Sequence, residues 1–286
     1  MITIITATLN AAKTIERSIA SLAGQNVPFQ HLVIDGGSAD ATADICARSS
    51  SITFVSAPRS SIYEAWNIGV ERAEGEAVMF LNADDELLPD ALATVVSALA
   101  ADADLVAGHA DMVSDVAPDM LLQHFVAVPH GDLNVRQLAL GVPAINAIAF
   151  KKTVFERHGL FPTNFRAAGD RAFLLYLALA EPALKVKNVD ATLYRYFSHE
   201  GSLTLHRSLR QRLMIANEHF DLASELLARP MNREQRAVTR FWRRREASVG
   251  FVRSLGAGKI GQASSFAVRA LRAEFGFLTA GRSQKQ

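Results

Sequence analysis

The chain has 286 residues, 49% hydrophobic and 21% charged, which excludes a disordered chain and allows one large domain with an appendage. Its net charge of +1 hides a division: residues 206–286 carry 16 Lys and Arg against 6 Asp and Glu, leaving 14 against 23 for residues 1–205, so the two parts face different surroundings. A single cysteine, Cys46, excludes an internal disulfide; with no basic lead-in at the N-terminus and no apolar run near the ~18–20 residues of a membrane span, the expectation is a cytoplasmic protein.

Short β-rich apolar runs at 2–8 (ITIITAT), 31–35 (HLVID), 52–55 (ITFV) and 77–82 (AVMFLN) alternate with helical periodicity at 12–23, 39–48 and 62–73. Gly24 and Gly75 follow the first and third helices, and Ser38 precedes the second. Such β-α-β-α alternation predicts an α/β fold with a mostly parallel central sheet flanked by helices. Pro89 and Asp90 open a helix to about 101, and a fifth strand is expected near 104–112. The passage 113–145 reads as loop-rich, with a strand near 123–128 and a helix near 134–139. A strand at 146–150, helices at 152–159 and 170–180, and strands at 184–188 and 191–197 complete a domain ending near 205. From 206 to 286 a basic C-terminal helical extension is expected, with helices at 207–228, 232–254 and 259–275 broken by Pro230 and GAGK.

In an open parallel sheet, ligands bind in the crevice at the carboxyl ends of the strands. Thr8 and Asn10, the stretch DGGSAD at 35–40, and NADD at 82–85 all fall there. Asp35 can accept hydrogen bonds from a base or ribose, and Gly36 and Gly37 allow close backbone approach, which suits a nucleotide. DGGS also reads as a plain turn with Ser38 as a helix cap, and Asn10 as a cap for the helix near Ala12. Asp84 and Asp85 repel each other, and a cap for the helix near Pro89 needs only one of them. A divalent cation, Mg²⁺ or Mn²⁺, shared with a diphosphate relieves that repulsion and acts as a Lewis acid. Cys46, inside a helix between Ile45 and Ala47 with no CxxC partner, is not an expected redox or nucleophilic residue.

TLN at 8–10, VIDGGSADAT at 33–42, IYEAWNIGVERAEGE at 62–76 and FLNADD at 80–85 resemble the successive signatures of family 2 glycosyltransferases. The resemblance is strong over about 2–112 and looser to about 205. It implies the Rossmann-like glycosyltransferase A fold, with 1–112 as the nucleotide-sugar half and 113–205 as the acceptor half. The implied activity moves a hexosyl or related sugar from a nucleoside diphosphate sugar to an acceptor hydroxyl with inversion, in bacterial surface polysaccharide or glycolipid assembly. By position, Thr8 and Asp35 fall at the base and ribose, and Asn82, Ala83 and Asp84 on the metal motif, with Asp84 as ligand and Asp85 in support. Asn10, Arg59 and Asn67 join the expected nucleotide-sugar residues. Departures from the family pattern are Leu9 for a Tyr, Gly36 and Asn82 for Asp, and Arg59, Ser60 and Ser61 for Asp-Lys-Gly. They leave the nucleotide open, and Arg59 reads either as a diphosphate contact or as a solvated side chain.

Inverting transfer needs a base near the acceptor hydroxyl. The resemblance implies Asp170, at the start of the apolar helix in AAGDRAFLLYLAL, although the same position suits a helix cap. In YRYFSHEGSLT it implies His199 as a third metal or phosphate ligand, beside the reading as a structural histidine. His124, His130, His158 and His206 lack zinc-site spacing. A nucleotidyltransferase and a catalytically silent nucleotide-sugar binding or scaffold protein remain as alternatives, whereas a dinucleotide dehydrogenase lacks its GxGxxG after the first strand.

Residues 240–277 mix Arg with Phe241, Trp242, Phe251, Phe266, Phe275 and Phe277. That mixture suits an anionic membrane surface, a lipid-linked or glycan acceptor and a peripheral position at the inner face of the cell membrane. It equally suits an amphipathic helical hairpin packed on the domain. No nucleic-acid module is present, so nucleic acid is not an expected partner.

Overall fold

The computed structural model describes residues 1–100, 102–128, 131–199 and 208–280, with 272–280 by backbone alone. By contact the chain divides into two compact units, one within 1–138 and 142–200 and the other within 139–141 and 201–286.

The first unit opens with β1 (Ile2–Thr8), α1 (Ile15–Ala23), β2 (Phe29–Asp35), α2 (Thr42–Ala47), β3 (Ile52–Ser56), α3 (Ile62–Arg72) and β4 (Ala77–Phe80). These strands lie in the parallel order β3-β2-β1-β4. β1 and β4 are buried almost throughout, as expected of parallel strands covered on both faces. Helix α3 seats closely on β1 because residue 69 is glycine: a Cβ there would lie 2.4 Å from Ile5 Cγ2.

The chain continues as β5 (Glu86–Leu87), α4 (Ala91–Leu99), β6 (Leu105–Ser114), β7 (Ala117–Val126), α5 (Val135–Leu140), β8 (Ile148–Lys151), α6 (Lys152–His158), α7 (Gly169–Ala178) and β9 (Val186–Ser198). Here the sheet becomes mixed: β8 runs antiparallel to β4 and β6, while β9 runs parallel to β6. Phe80, Phe150, Phe155, Phe161 and Phe173 fill the space between this part of the sheet and its helices, with the closest ring centroids, Phe161 and Phe173, 4.5 Å apart.

Three differences from the sequence expectation have local causes. β9 is one strand where two were expected, because irregular register against β6 between Ala107 and Ala110 lets it continue through the break. β7 begins at Ala117 rather than near 123, since all but one of its residues are exposed and burial imposes no alternation. β5 is two residues long, too short to leave a periodic signal.

Cys46 packs with Ile15, Val33 and Ala83, and burial, then the Asp35 charge, push its thiol up to about 11, which suits an inert core residue. His31 on β2 is also buried, with Nε2 3.0 Å from Thr6 Oγ1, and burial pushes its pKa down to about 4 from 6.5. The unfolded chain therefore takes up a proton that the folded protein refuses. Stability from this group is complete above pH 6.5 and is lost as pH falls toward 4, by on the order of 3 kcal/mol. Urea unfolding across that range should show a steeper decline for the native chain than for His31→Gln.

The second unit consists of α8 (Leu209–Leu226), α9 (Arg233–Gly256) and α10 (Ile260–Ala280), with Asn232 and Gln235 forming a capping box at the start of α9. Its interior takes up several of the aromatic side chains weighed for a membrane face. Trp242 is fully buried, Phe266 is buried, and Phe251 packs against Leu213, Ala216 and Phe266, leaving Phe241 exposed. The side chains of Phe275 and Phe277, and the residues His130 and His206, lie outside the described residues. Among the described residues no helix is long and apolar enough to cross a membrane.

Candidate active site

The crevice is built at the carboxyl ends of β1, β2, β4 and β9. Thr8 and Asp35 are paired in register at the ends of β1 and β2, and Gly36 N donates to Thr8 O (2.9 Å). Arg59 N in turn donates to Gly36 O (2.8 Å), so three loops are joined through backbone. Arg59 itself is exposed and adopts a left-handed backbone with φ 68°, a strained state for a non-glycine residue. The buried hydroxyls of Thr8 and Ser60 have no hydrogen-bond partner among the described residues. Ser61 forms a capping box with Glu64, which explains a serine where the family pattern has glycine.

Asp35 accepts from Gly37 N (3.1 Å), Ser38 N (2.9 Å) and Ser38 Oγ (2.5 Å). Asn10 N donates to Ser38 Oγ (2.8 Å), and Asn10 Oδ1 accepts from Ala39 N (2.9 Å). Asp35 and Asn10 thus shape the loop beside the crevice, and neither Ser38 nor Asn10 caps a helix; a ribose that reaches Asp35 meets a carboxylate already holding that loop. Asn67 is a clear correction. Its Nδ2 donates to Phe161 O and its Oδ1 accepts from Phe161 N, both at 2.9 Å, so the amide ties α3 to the loop before α7 instead of facing a nucleotide. Asn67→Ala should lower unfolding free energy by about 2 kcal/mol in urea titration, because two hydrogen bonds go and two part-buried backbone groups are left without partners.

The neighbouring acids after β4 face opposite ways. Asp85 is 3% exposed; its Oδ1 accepts from Phe197 N (2.9 Å), and its Oδ2 from Tyr194 OH (2.8 Å) and Asn82 Nδ2 (2.9 Å). Burial, then the Asp84 charge, push the Asp85 carboxyl up to about 8, while these three donors pull it down. Asp85 is therefore an internal anchor rather than a cation ligand, and Asn82 and Ala83 belong to the same scaffold: Ala83 packs in the core, and Asn82 N donates to Tyr194 OH (3.0 Å). Asp85→Ala strands three buried donors and should cost about 3–5 kcal/mol, measurable by thermal or urea unfolding.

Asp84 points outward, and its Oδ2 lies 2.7 Å from His199 Nε2, both side chains being partly exposed. Arg17, which no sequence pattern singled out, braces this pair from α1. It donates to Asp84 O (2.6 Å) and Asp115 Oδ1 (2.8 Å), and its guanidinium lies 3.6 Å from the centroid of the Phe197 ring. One carboxylate and one imidazole suit a hard divalent cation whose remaining positions go to phosphate oxygens and water. Among the described residues no three His, Cys, Asp or Glu side chains gather as a complete metal cage.

Asp170 lies in the first turn of α7, where a carboxylate interacts favourably with the helix dipole, and Ala168 holds the cap position itself. Tyr63 OH donates to Asp170 Oδ1 (3.1 Å), and burial, then the Asp170 charge, hold the Tyr63 phenol well above its usual pKa. Tyr196, whose hydroxyl donates to Asn146 Oδ1 (3.1 Å), is raised by burial and then by the charges of Asp85 and Asp170. Asn146 in turn lies 3.4 Å from Asn82 Oδ1, so Tyr196 is joined through Asn146 to the loop after β4. Arg171 turns away, donating to the Leu138 carbonyl, and His124 pairs with Asp111 (2.6 Å).

A curled sheet, parallel in its first half and carrying these polar loops at its carboxyl edge, defines a glycosyltransferase of the A-fold type. The family model described as glycosyl transferase family 2 matches residues 3–168, more than half of the chain, and the chain belongs to that family. Two curated relatives, from Mycobacterium bovis (strain BCG / Pasteur 1173P2) and Mycobacterium tuberculosis (strain ATCC 25618 / H37Rv), are named for PGL/p-HBAD biosynthesis glycosyltransferases. Each is 26% identical over 228 residues, covering 70% of this chain and 78% of the relative. S. aureus TarS 1-349 in complex with UDP-GlcNAc shares the fold at TM-score 0.59 and 16% identity, over 96% of this chain and 92% of that one. The mannosyltransferase PcManGT from Pyrobaculum calidifontis, in complex with GDP-Man and Mn²⁺, does so at TM-score 0.58 and 19% identity, over 95% and 80%.

Proposed function

We propose that the chain transfers a sugar from a nucleoside diphosphate sugar to an acceptor hydroxyl with inversion, residues 1–112 binding the donor and 113–205 the acceptor. One observation carries this reading: Asp84 and His199 face outward together, on a loop anchored from beneath by Asp85. The donor's base lies against the Thr8 and Ser60 hydroxyls, and Arg59 reaches the diphosphate. Asp84 and His199 would hold a Mg²⁺ or Mn²⁺ ion, which would supply positive charge to a departing diphosphate.

Asp170, oriented by Tyr63, takes the acceptor's proton as the acceptor oxygen bonds to the anomeric carbon and the bond from that carbon to the diphosphate breaks on the opposite side. The configuration is inverted because a single displacement has one face for entry and the other for departure. The curated relatives' names and the basic second unit support a lipid-linked or other glycan acceptor in surface glycolipid or polysaccharide assembly.

Titration calorimetry with uridine and guanosine diphosphates and their sugars, with and without Mn²⁺, tests the reading. One diphosphate should bind more tightly with the cation, and its sugar should be released or transferred on incubation. Binding indifferent to the cation for every nucleotide would remove the role given to Asp84 and His199. Binding without turnover, in the presence of simple glycoside acceptors, would favour a silent nucleotide-sugar binding protein.

A further inference from the structure

The second unit carries a groove that the transfer reaction does not use. Helices α9 and α10 come close at Gly250, where a Cβ would lie 2.3 Å from the Phe266 ring, and beside that contact a groove of about 600 Å³ opens along α9. Its wall is apolar, including Phe251, Val252, Phe266 and Leu271, and among the described residues its charged lining is the buried Arg243 and the exposed Arg244. Val252 is 65% and Leu271 55% exposed at its edge, although the unit has its own core in which Trp242 and Phe266 are buried. The volume falls within the range of sites that enclose small molecules.

We propose that this groove receives an acyl chain of an anionic glycerophospholipid at a membrane surface, with the headgroup phosphate held at the basic margin where Arg244 is exposed. Charge favours this occupant over a neutral one. Residues 206–286 carry 16 basic against 6 acidic side chains, and on α9 the exposed Arg240 precedes Arg244 by one turn while Arg253 follows in the last turn and Lys259 just beyond the helix. A groove that is apolar inside and cationic at its margin matches a molecule that is apolar in its chain and anionic at its head. The aromatic residues of this unit mostly build its interior, so membrane attachment rests on the groove rather than on an aromatic stripe.

The full chain is sedimented with vesicles of phosphatidylcholine alone and of phosphatidylcholine with phosphatidylglycerol. Binding should be at least about tenfold stronger to the anionic vesicles and should weaken as salt is raised to ~0.5 M. Val252→Glu and Leu271→Glu place a charge at exposed positions that the fold does not need, and Arg244→Glu reverses one cation of the wall. Each should reduce binding to anionic vesicles about tenfold while leaving the helical circular dichroism unchanged.

Three results would overturn the proposal: anionic vesicles bound equally by the native chain and Val252→Glu, complete release by millimolar inorganic phosphate, which would make the groove a phosphate site, or a dimer in analytical ultracentrifugation that Val252→Glu dissociates. The vesicle readout needs no turnover, so its outcome is separable from that of the sugar-transfer reading.

Discussion

Asp170→Asn should lower kcat for sugar transfer by about 10²–10⁴-fold with little change in donor affinity. The side chains are nearly equal in size, and an asparagine oxygen can still accept from the Tyr63 hydroxyl at 3.1 Å, so the start of α7 keeps its geometry. What disappears is the ability to accept a proton as the acceptor oxygen attacks. The loss should therefore fall on kcat, while calorimetry with the nucleoside diphosphate gives nearly the native affinity. Tyr63→Phe should cost much less, since it removes only an orienting hydrogen bond. Native turnover in Asp170→Asn would assign the base elsewhere.

Asp84→Ala should abolish the cation's enhancement of donor binding and reduce kcat/KM about 100-fold or more. It should do so without unfolding the protein. The Asp84 side chain points outward toward His199, whereas the buried bonds that hold the loop belong to Asp85, Asn82 and Tyr194. Removing the Asp84 charge also takes away one of the two influences that raise the Asp85 carboxyl, so the anchor becomes easier to ionise. Manganese titration in the presence of diphosphate, set beside thermal unfolding of Asp84→Ala and Asp85→Ala, separates the roles: the first variant should lose the cation effect and keep its stability, and the second should lose stability. His199→Ala should weaken the cation effect about tenfold, because the carboxylate remains.

The pairing of adjacent carboxylates shows where sequence reasoning stops. FLNADD marks a strand end with acidic groups, and the strand is present, but charge repulsion together with the family resemblance suggested a shared cation as the means of tolerating both acids. The fold uses a different means: the two side chains point apart, and donors from Tyr194 and Phe197, 109 and 112 residues further along the chain, satisfy Asp85. Asn67 is similar, a polar residue in a family motif whose amide is spent on Phe161, 94 residues away. Arg17 had no pattern to reveal it, because an arginine on an amphipathic helix looks solvated until Asp84, Asp115 and Phe197 are brought around it.

The sequence by itself determined the alternation of strands and helices, the strand ends that carry polar loops and the helical character of the basic tail. These follow from periodicity, turn residues and charge, which act over a few neighbouring positions. Only the tertiary structure decided which way each polar side chain faces, which of the two acids is left to meet a ligand, and that the tail's aromatics form an interior beside an open groove. Each of those outcomes depends on donors, acceptors and apolar surface supplied by distant segments, and the cost of leaving a buried polar group unpaired makes those partners decisive.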